Sequence, residues 1–300
     1  MPFEEFANRY GVAMEMSDVV ILLARQRSGT NALRDVLDSH QEVFCLPEVF
    51  QAEPSPKARH EVEANYFNFL ETRKDSVKEI LTSEDAQAQL FLEYLQFLGT
   101  FSDKRYLVVD IKYNSAHNVD GPWRDIGGAP TLFQLIRRNE MRVLNLTRLN
   151  YLRYYLSWVK TERTRKYHLH ATGSAAPVKV EDKGLALDLD DLLFRLELCK
   201  SEDRLVKRVL GGYLGYMAIE YEELFPRIGA PPSEEVLGQV AGWLGIEAEF
   251  PKSQPRYRKQ SVLPLSEAIT NYDEVAEALR GTEFEYVLDD EAPYRVPTSV

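Results

Sequence analysis

The sequence predicts an α/β fold in which helices cover both faces of a central, mainly parallel sheet. Four apolar runs predict buried strands, at 19–24 (VVILLA), 43–46 (VFCL), 106–111 (YLVVDI) and 142–147 (RVLNLT). Amphipathic helical patterns lie between them, at 30–39, 84–98 and 131–139. This alternation of strand and helix is typical of a parallel sheet covered on both faces.

One domain accounts for the whole chain in this prediction. A chain of 300 residues with 44% hydrophobic content can bury one sizeable core, and we expect a single domain over residues 1–300. Longer helical patterns occupy 150–168 and 186–209. The stretch ATGSAAPVKVEDKG at 171–184 combines small residues, proline and charge, which predicts a mobile loop. A further helix is expected from Ser233 to Leu244.

Composition and charge narrow the function classes. The formal net charge is −11, and because nucleic acids and anionic membranes attract basic surfaces, we expect neither as a partner. Cys45 and Cys199 are too far apart to predict a disulfide framework or a zinc site. The N-terminus is acidic, and no apolar run approaches the roughly 18 residues that span a membrane. We therefore expect a cytoplasmic protein with no transmembrane segment and no metal site; no pattern indicates its oligomeric state.

A phosphate-binding loop is predicted where the first strand ends. The stretch LLARQRSGTN, residues 22–31, runs from a buried strand through two arginines into a Ser-Gly-Thr turn that opens a helix. Free backbone N–H groups at the start of a helix converge on one point, where the helix dipole also favours negative charge. The pattern therefore predicts a local anion site in an otherwise acidic protein.

The loop departs from the nucleotide-phosphate motif G-x-x-x-x-G-K-[ST]. Ala24 and Gly29 occupy the glycine positions, and Thr30 and Asn31 stand where that motif has Lys and Ser or Thr. Enzymes that use nucleoside triphosphates place this lysine on the β- and γ-phosphates and the following hydroxyl on magnesium. The departures favour an anion cradle without the magnesium apparatus, with an ordinary strand–turn–helix corner as the structural alternative.

The segment RQRSGTNAL resembles the 5′-phosphosulfate loop of sulfotransferases that use 3′-phosphoadenosine-5′-phosphosulfate (PAPS), in which a basic residue precedes Ser-Gly-Thr. The resemblance implies that Arg27 meets the transferring sulfonyl group. It also implies that Ser28, Gly29, Thr30 and Asn31 surround the 5′-phosphate.

Two later segments resemble the parts of that family that hold the 3′-phosphate of PAPS. In LNLTRLNYLRYYLSW, residues 144–158, Arg148 follows a predicted strand and Ser157 lies nine residues further on, in a helix. In RYRKQS, Arg258 and Lys259 resemble an Arg-Lys pair that closes over the 3′-phosphate and the adenine. The three segments occur in the family's order along the chain. The resemblance therefore implies PAPS as the cofactor and 3′,5′-ADP as the product.

Three polar residues are candidates for the acceptor side of the site. Glu48, in VFCLPEVF, resembles the P-E-x-F acid of bacterial carbohydrate sulfotransferases, which implies a general base beside the acceptor. We expect Arg27 to favour its ionised form, so that activity declines on acidification. Lys112 and His117, just past the third strand, fall where α/β proteins gather their sites and are assigned to the acceptor site. His117 is the alternative base.

The function predicted from the sequence is transfer of a sulfonyl group from PAPS to an acceptor hydroxyl. The resemblance favours a carbohydrate or glycolipid, so the expected partner is a small molecule or a glycan. Two alternatives stay open, namely a small-molecule or nucleotide kinase with a degenerate phosphate loop, and a non-catalytic nucleotide-binding protein.

Overall fold

The secondary structure comes from a computed structural model that describes residues 14–51, 62–72, 83–120, 128–164, 184–226, 231–251 and 263–289. The strands are β1 (Val19–Ala24), β2 (Val43–Glu48), β3 (Tyr106–Lys112), β4 (Arg142–Thr147) and β5 (Tyr216–Glu220). In chain order, the helices up to residue 164 are α1 (Thr30–Asp38), α2 (Tyr66–Glu71), α3 (Glu84–Gly99), α4 (Thr131–Arg138) and α5 (Tyr151–Thr164). The later helices are α6 (Leu189–Leu210), α7 (Tyr221–Leu224), α8 (Glu234–Leu244), α9 (Leu265–Ala268) and α10 (Tyr272–Leu279). Three 3-10 helices span Met16–Asp18, Tyr113–Val119 and Glu285–Leu288.

The sheet is parallel throughout the described residues and has the strand order β2-β3-β1-β4-β5. From β1 the chain moves outward to β2, and after β3 it crosses to β4 on the other side of β1. The connection that leaves β1 and the one that leaves β4 therefore run to opposite edges of the sheet. Open α/β sheets bind ligands at the carboxyl ends of such a pair of strands. The predicted α/β fold is confirmed, and its sheet is wholly rather than mainly parallel.

Each face of the sheet buries its own layer of helices, because side chains alternate between the two faces of a strand. Val19, Ile21 and Leu23 of β1 belong to a core that includes residues of α3 and α4. Val20 and Leu22 point to the opposite core, which α1 and α8 complete. All six residues of β1 are buried, so the loop that follows the strand starts from a rigid support.

A third apolar cluster holds the helices that flank the site. Leu152 and Leu156 of α5 pack with Leu192 and Leu196 of α6, and α9 and α10 add further buried side chains. The sequence-predicted helix at 150–168 corresponds to α5, and the one at 186–209 corresponds to α6. The predicted mobile loop at 171–184 lies outside the described residues except for Gly184.

Candidate active site

The loop between β1 and α1 is shaped to bind an anion. Arg27 and Gly29 have left-handed backbone conformations, with φ of 62° and 90°, and such residues in a tight turn direct successive N–H groups to one side, as in anion-binding nests. Gly29 is the N-cap of α1 and offers no side chain to the N–H groups of the first turn, which an anion would satisfy. Ser28 is fully buried, and among the described residues its hydroxyl has no hydrogen-bond partner. Because buried polar atoms normally have one, the loop fits a polar ligand.

An aromatic ring packs directly on the glycine of this loop. A Cβ atom at residue 29 would lie only 2.5 Å from Cε2 and 2.7 Å from Cδ2 of Tyr221. The guanidinium carbon of Arg148 lies 5.0 Å from the centroid of the same ring. Tyr221 follows β5 and so connects the loop to the residues that follow β4. No sequence pattern singled it out.

The two phosphate-binding segments predicted from the sequence meet in the structure. Arg148 Nη1 donates a hydrogen bond of 3.1 Å to the backbone oxygen of Arg27. The Nε atom of Arg27 donates one of 3.3 Å to Ser157 Oγ. These contacts span 121 and 130 residues of sequence. They arise because β1 and β4 are neighbours, so that the loop after β1 lies beside the turn after β4.

The two arginines make the site electropositive. Arg148 is only 8% exposed, and its Nε atom is buried with no hydrogen-bond partner in the described residues. Burial, followed by the positive charge of Arg148, lowers the pKa of Arg27. Two guanidinium groups that repel each other in a poorly solvated place are stabilised by an anion bound between them.

A carboxylate fixes the turn that carries Arg148. Glu222 accepts hydrogen bonds from the backbone N–H groups of Leu149 (3.0 Å) and Asn150 (3.2 Å). These groups precede α5, where negative charge is favoured by the helix dipole. Glu222 therefore holds the start of the helix that places Ser157 beside Arg27.

Arg25 belongs to the same loop as Arg27 but has a different role, because its guanidinium group is bound to carboxylates of α6. Its Nε donates to Glu202 (2.7 Å), and its Nη2 donates to Asp203 (2.5 Å), both on α6. Burial by itself would lower the pKa of Arg25, but Asp203 and other negatively charged neighbours more than offset this and raise it. The guanidinium carbon also lies 5.3 Å from the centroid of the Tyr151 ring. Arg25 thus ties the loop to α5 and α6.

Glu48 lies at the carboxyl end of β2, in register with Asp110 of β3. Its carboxylate accepts a hydrogen bond of 3.3 Å from Gln51 Nε2, and the Gln26 side chain also acts to lower its pKa. Burial raises the pKa of Glu48, the nearby Lys112 opposes the rise, and Asp110 adds to it. Desolvation thus outweighs the opposing effect of Lys112. The expectation that Arg27 favours the ionised form of Glu48, with activity declining on acidification, stays a prediction.

Lys112 contacts the start of α1, directly after the loop that follows β1. Its buried ammonium donates to Thr30 Oγ1 (2.7 Å) and to Asp110 Oδ1 (2.5 Å). The next residue of α1 is Asn31. Its side-chain oxygen accepts a hydrogen bond from Nη2 of Arg34, which lies about one turn further along the helix. Lys112 therefore lies beside the first turn of α1, and the structure brings it together with Glu48 and the loop.

His117 and the Arg258-Lys259 pair are the remaining site residues predicted from the sequence. His117 is exposed on the 3-10 helix after β3, and within the described ranges no hydrogen bond joins its imidazole to the loop or to Glu48. Arg258 and Lys259 fall outside the described residues. Their assignment to the 3′-phosphate stays a prediction.

A small cleft opens beside the loop, between α5 and α6. It has a volume of about 130 Å³ and is lined by Arg25, Gln26, Asn114, Tyr154, Trp158, Arg195, Leu198, Cys199 and Glu202. Because the Gln26 side chain also acts on the Glu48 carboxylate, the cleft adjoins the candidate base. Sequence reasoning missed Trp158, Arg195 and Glu202. Contacts between two helices cannot be read from the periodicity of either one.

No protein-family model matches this sequence, and no curated protein matches it. Among solved structures, a sulfotransferase from Alicyclobacillus acidocaldarius is 12% identical, with a TM-score of 0.40, over 79% of this chain and 86% of that one. Mouse sulfotransferase SULT7A1 complexed with PAP is 11% identical, with a TM-score of 0.42, over 96% of this chain and 93% of that one. Similarity at this level carries no argument about function, so the function has to rest on the site itself.

No helix in the described part of the chain is both long enough and apolar enough to cross a membrane. In the same residues, no group of three or more His, Cys, Asp or Glu side chains could hold a metal ion.

Proposed function

We propose that this protein is a sulfotransferase that moves a sulfonyl group from PAPS to an acceptor hydroxyl. The observation that carries the proposal is the contact of the phosphate loop with Arg148 (3.1 Å) and Ser157 (3.3 Å). PAPS carries a phosphosulfate at one ribose position and a phosphate at another, and therefore needs two anion sites close together. The loop and the start of α5 supply two such sites side by side.

The residues of the chain divide between these two anions. Arg27, Ser28 and the backbone N–H groups up to Asn31 would hold the 5′-phosphosulfate. Two observations fit this role. The Ser28 hydroxyl has no hydrogen-bond partner among the described residues, and the guanidinium groups of Arg27 and Arg148 are close enough to repel each other. When bound, PAPS supplies the sulfonyl group that is transferred. Arg27 would stabilise the negative charge that develops at the reacting centre, the kind of contribution that is commonly the largest in catalysis.

The 3′-phosphate would bind on the α5 side. Arg148 and Ser157 lie next to the loop and would contact it, and we assign Arg258 and Lys259 to the same phosphate on the sequence resemblance alone. Hydrogen bonds between charged groups contribute about 1.5 to 3 kcal/mol each. Because the Debye length is only about 8 Å at physiological salt, these contacts outweigh the field of the distant acidic surface.

Glu48 would take the proton of the acceptor hydroxyl. Its carboxylate is oriented by Gln51 and Gln26, and burial raises its pKa, which makes it a stronger base than an exposed carboxylate. A general base works best when its pKa lies nearer the working pH. The cleft next to Gln26 would hold the acceptor beside it.

A carbohydrate hydroxyl is the acceptor that we propose for this cleft. Its volume of about 130 Å³ is below the roughly 150 Å³ that holds a benzene molecule, so only part of a sugar ring would enter it. The Trp158 ring is stacked with the Tyr155 ring, and the guanidinium carbon of Arg195 lies 4.4 Å from its centroid. The faces of this ring are therefore already in contact with other side chains of the protein. Amide and charged side chains, among them Gln26 and Glu202, favour a hydroxylated ring over a flat apolar one.

The kinase alternative is disfavoured by the residue at the magnesium position. In nucleoside-triphosphate enzymes the Ser or Thr that follows the loop lysine binds magnesium. Here Asn31 occupies that position, and its side-chain oxygen accepts a hydrogen bond from Arg34 Nη2. A guanidinium group on this oxygen repels a divalent ion from it.

A thermal-shift comparison of 3′,5′-ADP, AMP, ATP and ATP with magnesium tests the proposal. A ligand at 100 times its Kd adds about 2.7 kcal/mol of stability, and 3′,5′-ADP should produce by far the largest rise in Tm. Arg148→Met should remove most of that rise. Arg138→Met, which changes an exposed arginine at the end of α4, should leave it unchanged. Equal shifts for 3′,5′-ADP and AMP, or a larger one for magnesium-ATP, would contradict the assignment.

A further inference from the structure

Three charged side chains share one face of the sheet at its carboxyl edge. Glu48 of β2 and Asp110 of β3 are register partners, and partners in neighbouring strands point to the same face. Lys112 lies two residues after Asp110 and so points the same way. This face is the one that α1 covers, since Val108 of β3 packs there with Leu33.

Within this group the lysine is committed to Asp110. The Lys112 ammonium lies 2.5 Å from Asp110 Oδ1, and the two side chains are 5% and 1% exposed. Asp110 Oδ2 lies 3.3 Å from Arg34 Nε of α1. The ammonium also binds Thr30 Oγ1 at 2.7 Å. Among the described residues, no ion pair joins Glu48 to Lys112 or to any other cation.

We propose that Asp110 is a positioning residue that holds the Lys112 ammonium on the first turn of α1 and out of an ion pair with Glu48. The proposal rests on the proposed function, in which Glu48 is the general base. A base that is locked in an ion pair gives up part of its affinity for a proton. Asp110 would thus let a buried lysine support the phosphate loop without weakening the base beside it.

The charges around Glu48 give this arrangement a measurable signature. The groups that act on its carboxylate are Lys112, which lowers the pKa, Asp110, which raises it, and the Gln51 and Gln26 amides, which lower it by hydrogen bonding. Without Asp110, the buried ammonium would lose its carboxylate partner, and Glu48 is the carboxylate nearest along the same face. The two charged residues should therefore move the Glu48 pKa in opposite directions.

The test is a carbon-13 NMR titration of the Glu48 carboxylate in the full chain without ligand, assigned by its loss in Glu48→Gln. Asp110→Asn should make Glu48 more acidic by roughly tenfold or more, as for a carboxylate that gains a nearby cation. Lys112→Met should make it less acidic. Arg34→Gln, which removes the other cation on Asp110, is the matched control and should leave the titration unchanged.

An unchanged Glu48 titration in either folded variant, or a shift of the same sign in both, would overturn the proposal. If Asp110→Asn does not fold, Lys112→Met decides the question. With the ammonium kept out of an ion pair with Glu48, its loss should make Glu48 less acidic by less than about tenfold, and a larger shift would contradict the proposal. The measurement needs no PAPS. Failure of the sulfotransferase assignment would appear in the thermal-shift comparison and leave this titration interpretable.

Discussion

Replacing Gly29 by alanine should destabilise the protein through two separate effects. The residue has φ of 90°, and a left-handed conformation at a residue other than glycine costs roughly 1 to 3 kcal/mol. The new Cβ would also lie 2.5 Å from Tyr221 Cε2, and overpacking of this kind costs a further 1 to 3 kcal/mol or so. We expect a total loss of about 2 to 6 kcal/mol, measured by urea unfolding, and a fall in Tm of at least about 4 °C. Binding of 3′,5′-ADP, measured by calorimetry, should weaken because the loop must move away from the ring.

Two comparisons separate these effects. Gly212→Ala is the matched control, because a Cβ there meets nothing within 4 Å, and its cost should stay within about 0.5 kcal/mol. In a Tyr221→Ala background the overpacking disappears, so Gly29→Ala should cost about 1 to 3 kcal/mol less than in the parent chain. A Gly29→Ala protein as stable as the Gly212→Ala protein would refute the close approach of Tyr221 to the loop.

Four further substitutions test the site and its charges. Arg27→Ala should reduce turnover from PAPS by on the order of a hundredfold, with a smaller loss of 3′,5′-ADP affinity; near-normal turnover would place Arg27 outside the reacting centre. Glu48→Gln should reduce turnover by roughly 10² to 10⁴-fold and hardly change 3′,5′-ADP binding, whereas His117→Asn should cost little; reversed results would move the base to His117. Burial, Glu223 and Glu222 raise the pKa of Glu220 to about 7, so the folded state holds this proton more tightly than the unfolded state. Stability should therefore fall as pH rises from about 4.5 to 7, and urea unfolding of Glu220→Gln should show less of this fall; an identical pH dependence in both proteins would contradict the shifted pKa.

The loop between β1 and α1 was predictable because its requirements are local. A buried strand, a small-residue turn and a helix start are adjacent in sequence, and the structure places the residues of β1 (Val19–Ala24) and the start of α1 where those signals put them. The pairing of Arg27 with Ser157 needed more, namely the adjacency of β1 and β4. A resemblance to a known arrangement supplied that adjacency, whereas periodicity alone could not.

The strand that leads to Tyr221 was missed for a physical reason. Among the described residues, β5 (Tyr216–Glu220) pairs only with β4 and lies at the edge of the sheet. Ile219 is the one buried residue of this strand. An edge strand of this kind lacks the continuous apolar run that marked β1. Without the strand, nothing in the sequence could show that Tyr221 follows it and reaches Gly29.

The positive charges near the loop differ in what neutralises them, and this difference separates cations that serve the fold from cations that stay available to a ligand. Arg25 is matched by Glu202 and Asp203, and Lys112 by Asp110. These cations are already neutralised inside the fold, so an incoming anion gains little from them. Arg148 instead contacts a carbonyl oxygen and the Tyr221 ring, and among the described residues no carboxylate forms an ion pair with it. Burial, followed by the charge of Arg148, lowers the pKa of Arg27. A charge that is buried without a counter-charge is costly, and a bound phosphate would offset that cost.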